Sequence, residues 1–140
     1  MFLNSRSPLR IDSIGYFLAL YVDWDLGKQL LDKAMDMNDN YPAWYHGATT
    51  LYYYRQKEYE QAFTEAVQYD LPTLFWMPLL RSACLGQLQR KTEAAEEINH
   101  LLKLKPDFTQ KARLLIQRYV KEDSLTDHIL DGLHKAGFYL

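Results

Sequence analysis

The side chains that could do chemistry here are few, and their spacing decides what kind. The single cysteine of this 140-residue chain, Cys84, lies in the run SACLG among small residues. A reactive thiol needs a positive neighbour that favours the thiolate, and no basic residue is placed for that, so Cys84 reads as a buried structural thiol. One cysteine also excludes an internal disulfide framework and fits a reducing compartment. His128, Asp131 and His134 recur at three-residue steps, which places them on one side of a helix. They lack the i, i+4 histidine pair of a zinc helix and have no evident further ligand, so they read as a solvated face. His46 and His100 are isolated, and no glycine-rich phosphate loop occurs. The expectation is therefore no catalytic site, no cofactor and no metal.

Charge and hydropathy narrow the partners. A formal net charge of −2 sets up no field that would draw nucleic acid. Lys103, Lys105, Lys111, Arg113, Arg118 and Lys121 do cluster, but Asp107, Glu122, Asp123, Asp127 and Asp131 interleave with them or follow. That is the pattern of a mixed solvated face. The most apolar run near the start, Ile14 to Val22, is nine residues long, against the ~20 that a membrane-spanning helix needs. Acidic Asp23 and Asp25 follow it where a signal peptide would have small residues, so a cytoplasmic protein without membrane contact is expected.

Helix signals dominate the chain, and no convincing strand appears. Ser7-Pro8 opens a helix running to about Tyr21, with Ile11, Ile14, Gly15 and Leu18 on one side. Asp23 caps the next, whose apolar stripe is Trp24, Gly27, Leu31 and Ala34, and Asn38-Asp39-Asn40 ends it. Tyr41-Pro42 starts a third helix carrying Trp44, Gly47, Ala48 and Leu51; a fourth, about Glu58 to Tyr69, turns Tyr59, Ala62, Phe63 and Ala66 inward. After Leu71-Pro72 a fifth helix spans about Thr73 to Leu88, with Pro78 as a kink or restart. The sixth places Ala94, Ile98 and Leu101 on one face and stops at Pro106. A seventh runs from about Thr109 to Val120, and an eighth begins at a capping box, Ser124 to Asp127, and closes at Gly137.

These helices repeat. The small residue where paired helices touch is Gly15, Ala48 and Ser82, at spacings of 33 and 34; that of the second helix is Gly27, Ala62 and Ala94, at 35 and 32. A period near 34 with small residues at the helix contacts resembles the tetratricopeptide repeat. On that resemblance residues 1–140 form one all-α domain, a helical-hairpin solenoid. Its repeats are about 7–40, 41–72 and 73–106, with a two-helix cap over 107–140. The second repeat reads as two residues longer before Tyr59, and Pro78 stands in the aromatic slot of the third. The run from Asp23 to Tyr41 and the tail LTDHILDGLHKAGF further resemble repeats at the C-termini of bacterial class III adenylate and guanylate cyclases and winged-helix transcription regulators.

The resemblance implies a binding surface, because the first helix of each pair lines the inner face of such a stack. Family geometry aims Tyr16 and Leu20, then Tyr45, Thr49, Tyr52 and Tyr53, then Trp76, Leu79 and Ala83 into that groove. The lysine, asparagine and arginine of the family's carboxylate clamp are absent, which leaves an apolar, tyrosine-rich groove suited to protein contact. The expected function is a protein–protein interaction scaffold, a regulatory or assembly module of a larger bacterial signalling or transcription protein. Its partner would be a protein or peptide segment, including another domain of the same chain. The alternatives are a homodimerisation unit, or a free-standing adaptor with a nucleic-acid or small-ligand role. A further alternative is that the rings fill the core or pack against the last two helices.

Overall fold

Every regular element among the described residues, 23–37 and 45–139 of the computed structural model, is an α-helix. In chain order they are α1 (Trp24–Met37), α2 (Tyr45–Arg55), α3 (Tyr59–Gln68), α4 (Trp76–Gln87), α5 (Lys91–Leu104), α6 (Phe108–Gln117) and α7 (Asp123–Lys135). The all-α expectation holds. The helix expected before Tyr21, with Gly15, Tyr16 and Leu20, lies outside the described residues. Asp23 caps α1 as its type predicts: its Oδ1 accepts from the Leu26 N–H at 3.0 Å. The predicted stripe Gly27, Leu31 and Ala34 is buried, the last two against Tyr45 and Ala48 of α2.

The turns joining α2 to α3 and α4 to α5 are copies of each other. Lys57 and Gln89 both take the left-handed conformation, at φ 63° and 61°. In one turn Glu58 N–H donates to the Tyr53 carbonyl at 3.0 Å, and in the other Arg90 N–H donates to the Leu85 carbonyl at 2.9 Å. A non-glycine residue in this region costs about 1 kcal/mol, and the paired carbonyls at the helix end offset it. The hydroxyls repeat too: Thr50 donates to the His46 carbonyl and Ser82 to the Pro78 carbonyl, both at 2.6 Å. Each of these pairs lies 32 residues apart.

This register corrects the one read from small residues. Ser82 corresponds to Thr50 and not to Ala48, and the two extra residues before Tyr59 vanish. Gly47, Ala48, Thr49 and Thr50 form a run of small side chains, so size alone could not fix the alignment there. The turn geometry does. Ala62 and Ala94, aligned at 32 in both registers, are both fully buried.

Two other local expectations change. Pro78 neither kinks nor restarts α4, because it is the third residue of the helix. The first turn has no intrahelical use for its N–H groups, so proline is tolerated there. The capping box at Ser124 does not form: Glu122 occupies the cap position without a side-chain cap, and Asp127 pairs with Arg113 of α6. Gly137 does end α7, at φ +98°, with Gly137 N–H donating to the His134 carbonyl and Phe138 N–H to that of Leu133, each at 2.9 Å.

Packing follows the hairpins: α2 lies on α3, α3 on α4, α4 on α5, and α2 also touches α4 directly. Helix α7 departs from this order. It packs mainly across α4, and much less on α6, to which it is joined. In the main core cluster Leu51 and Tyr54 of α2 and Leu79 and Ala83 of α4 pack with Ile129 and Leu133 of α7, while smaller clusters lie between α1 and α2 and around Leu85, Ala94 and Ala136.

Candidate functional site

Helices α2 and α4 lie side by side with their chain directions parallel. Gln87 and Tyr54, near the two C-terminal ends, are hydrogen-bonded, while Gly47 and Trp76, near the two N-terminal ends, line one cleft. In the 32-residue register Gly47, Leu51 and Tyr54 correspond to Leu79, Ala83 and Gly86. These stripes meet at the seam between the helices. Among the described residues one end of the seam is closed and the other is open.

The closed end holds α7. Gly86 of α4 and Gly132 of α7 cross so closely that a Cβ on Gly86 would overlap the Gly132 carbonyl oxygen and stand 2.8 Å from Ala136 N. One on Gly132 would lie 2.7 Å from the Ala83 carbonyl oxygen. Glycine is required at both places by space and not by backbone freedom. Around this crossing the polar groups are paired. The Tyr54 hydroxyl donates to the His128 carbonyl at 2.6 Å and accepts from Gln87 Nε2 at 3.1 Å. Gln87 Nε2 also donates to Asp131 at 3.2 Å, and Lys135 Nζ to Gln87 Oε1 at 3.1 Å. His128 stacks on the Tyr54 ring with centroids 4.3 Å apart, and its Nε2 shares a 2.8 Å hydrogen bond with the Tyr59 hydroxyl.

Electrostatics at this end favour neutral rings. Burial lowers the His128 pKa, the positive charges of Lys57 and Lys135 lower it further, and Asp131 opposes them. Burial pushes the Tyr54 hydroxyl well above the ordinary phenol range. At the start of α7, burial would raise the Glu122 carboxyl. Hydrogen bonds from Ser124 and Trp24, with the charge of Arg55, outweigh that and hold it low. Trp24 Nε1 donates to Glu122 at 3.2 Å and Arg55 Nε lies 3.4 Å away, so the N-terminus of α7 is tied to α1 and α2 together.

The open end is a cleft of about 180 Å³ walled by Tyr69, Phe75, Trp76 and Tyr119, with Leu51 and Leu80 at the seam. Trp76 and Tyr119 stand at right angles, their centroids 5.6 Å apart at 89°. The Tyr69 ring lies flat enough on α2 that a Cβ on Gly47 would come within 3.0 Å of it. Burial raises the Tyr69 hydroxyl to about 12, with a smaller contribution from Tyr119. The Trp76 indole Nε1–H is shielded from solvent and has no hydrogen-bond partner among the described residues, a deficit that typically costs about 1–3 kcal/mol.

The residues assigned to the groove by sequence divide accordingly. Tyr16 and Leu20 lie outside the described residues. Leu79 and Ala83 do reach the seam, but both are sealed in the core cluster that α7 completes. Trp76 lines the open cleft. Tyr45 is buried against α1, and the buried Thr49 hydroxyl donates back to the His46 carbonyl at 3.2 Å. Tyr52 and Tyr53 are half-buried beside the start of α1: Tyr52 donates to Asp25 at 3.2 Å, and Lys28 Nζ stands 5.3 Å from the Tyr53 ring. The two-residue register error explains the split, since it moved the assignment in α2 off the seam and left that in α4 on it.

Sequence reasoning missed Gly47, Leu51 and Tyr54 as seam residues, and Tyr69 and Tyr119 as walls. His128, read as solvated, is half-buried between two tyrosines. Cys84 is buried, and burial alone pushes its thiol far above the range in which a thiolate forms. Among the described residues no group of three or more His, Cys, Asp or Glu side chains is placed to hold a metal ion, and no helix is long and apolar enough to cross a membrane. Comparison with protein-family models, with curated proteins and with solved structures found no match.

Proposed function

We propose that this chain is a protein-interaction module, built of tetratricopeptide-like hairpins, that works by binding and not by turnover. The observation that carries the reading is the position of α7. Helix α7 packs across α4 and reaches α2 through Tyr54, an arrangement we read as helix-in-groove recognition within one chain. The repeated turn at Lys57 and Gln89 supports a stack of equivalent units, which present rigid surfaces at little entropic cost. The open end of the same seam is the surface left for a partner. The likeness of the Asp23–Tyr41 run and the C-terminal tail to repeats of bacterial cyclases and winged-helix regulators supports a regulatory or assembly role in a cytoplasmic signalling or transcription protein.

A photo-cross-linking residue in place of Leu74, which is 45% exposed at the cleft, provides the test. The expected product is a cross-link to a different protein or domain, which when purified binds the chain at one-to-one stoichiometry in calorimetry. Cross-links only between copies of the chain, together with a doubled mass in light scattering, would replace the reading with homodimerisation.

A further inference from the structure

We infer that the open end of the seam is an anchor pocket for one uncharged aromatic side chain of the partner, a Tyr- or Phe-type ring. The inference rests on the interaction reading for the source of that ring; the pocket chemistry stands on the cleft itself. Size comes first. Small-molecule sites usually enclose about 300–1,000 Å³, and this cleft encloses about 180 Å³. A cavity of about 150 Å³ lined by apolar side chains accommodates benzene, so one ring fills the space and a metabolite of ordinary size does not.

Lining chemistry comes second. Among the described residues none that borders the cleft is charged. The nearby guanidinium of Arg81 donates to the Tyr69 carbonyl at 3.4 Å and is paired with Glu97 at 3.6 Å, so that ion pair cancels most of its own field. With no carboxylate in the lining, a cationic guest has nothing to balance it, although the rings alone would attract one. Elsewhere rings are covered by the protein's own cations: Lys28 over Tyr53 at 5.3 Å, Arg55 over Trp24 at 5.5 Å and Arg90 over Phe63 at 4.9 Å.

Wall geometry comes third. The perpendicular pair Trp76 and Tyr119 makes a corner in which an entering ring stacks on one wall and meets the other edge-on, the two arrangements that aromatic pairs prefer. Trp76 also carries a solvent-shielded N–H with no acceptor among the described residues, which a phenolic oxygen would pair only if the indole turned that edge toward the cleft. Deep aromatic pockets of this kind are where binding energy concentrates at protein interfaces.

The experiment titrates the ¹⁵N-labelled whole chain with p-cresol, the analogue of a tyrosine side chain, and separately with tetramethylammonium. Saturable, millimolar-range shifts of the Trp76 indole N–H by p-cresol are expected, weakened at least fivefold in Tyr119→Ala. Tyr119 is 44% exposed, so its truncation should leave the fold intact, which a melting curve checks. Saturation by tetramethylammonium and not by p-cresol would overturn the ring assignment in favour of a cation cage. No shift with either probe would overturn the pocket, and submicromolar p-cresol binding would overturn the side-chain anchor in favour of a soluble ligand. The cross-linked partner should bind Tyr119→Ala at least tenfold more weakly. Undiminished partner binding would remove the anchor and leave the interaction reading standing.

Discussion

The two ends of the α2–α4 seam are made of similar material and reach opposite outcomes. At the C-terminal end, glycines let a third helix approach to backbone contact, and Tyr54, Gln87, Asp131 and Lys135 are hydrogen-bonded across the crossing. At the N-terminal end, large rings wall a cleft, and one indole N–H has no partner among the described residues. The glycine crossing closes one end, and a cluster of rings lines the other. What lies between two parallel helices is thus decided by a few side-chain volumes, with the backbone frame held constant.

Substitutions that exchange the character of the two ends test this contrast. The largest effect is expected from Gly132→Leu. Its side chain would enter the space of Ala83 and Tyr54, and overpacking of a crossing this tight should cost about 3 kcal/mol or more. Hydrogen exchange should show α7 released while α2–α5 keep their protection. Loss of protection in every helix at once would mean that α7 is part of the folding unit and not a separable occupant. Tyr54→Phe comes next. It removes the donor to the His128 carbonyl and the acceptor for Gln87, and should cost about 1–2 kcal/mol in denaturant unfolding.

The pH response is smaller. Because the folded pKa of His128 lies below its ordinary value of 6.5, the unfolded chain takes up the proton first on acidification. Its contribution is fully present above pH 6.5, is lost as the pH falls from there to the folded pKa, and is constant below that. Unfolding midpoints measured across this window should fall with pH, and His128→Gln should flatten the slope. An unchanged slope in that variant would assign the dependence to another group. At the open end the sign reverses. Trp76→Phe removes a buried donor that has no acceptor among the described residues, so it should cost less than about 1 kcal/mol or be mildly stabilising, although it shortens a wall ring. A loss above 2 kcal/mol would show that the indole is held by interactions the hydrogen-bond geometry does not reveal.

Much of the framework was legible in the residues. The cap at Asp23, the stripe of Gly27, Leu31 and Ala34, the packed Ala94 and Leu101 and the close at Gly137 follow from local rules and appear where expected. The seam was legible only in part. Its register depends on two left-handed residues, Lys57 and Gln89, which carry no glycine or asparagine signal and so could not be found by residue type. Without them, four small side chains in a row permitted a slip of two positions in α2. The path of α7 was illegible for a different reason. Its apolar stripe shows that it packs, but not against which helix, and the contact of Gly132 with Gly86 becomes meaningful only when both are seen together.

That long reach has a consequence for synthesis. The Tyr54 hydroxyl finds its acceptor 74 residues later in the chain, which at translation rates of roughly 5–20 residues per second is a wait of about 4–15 s. During that interval the hairpins can form while the seam between them is bare, and whatever reaches the nascent chain first meets a longer, more adhesive surface than the finished molecule offers.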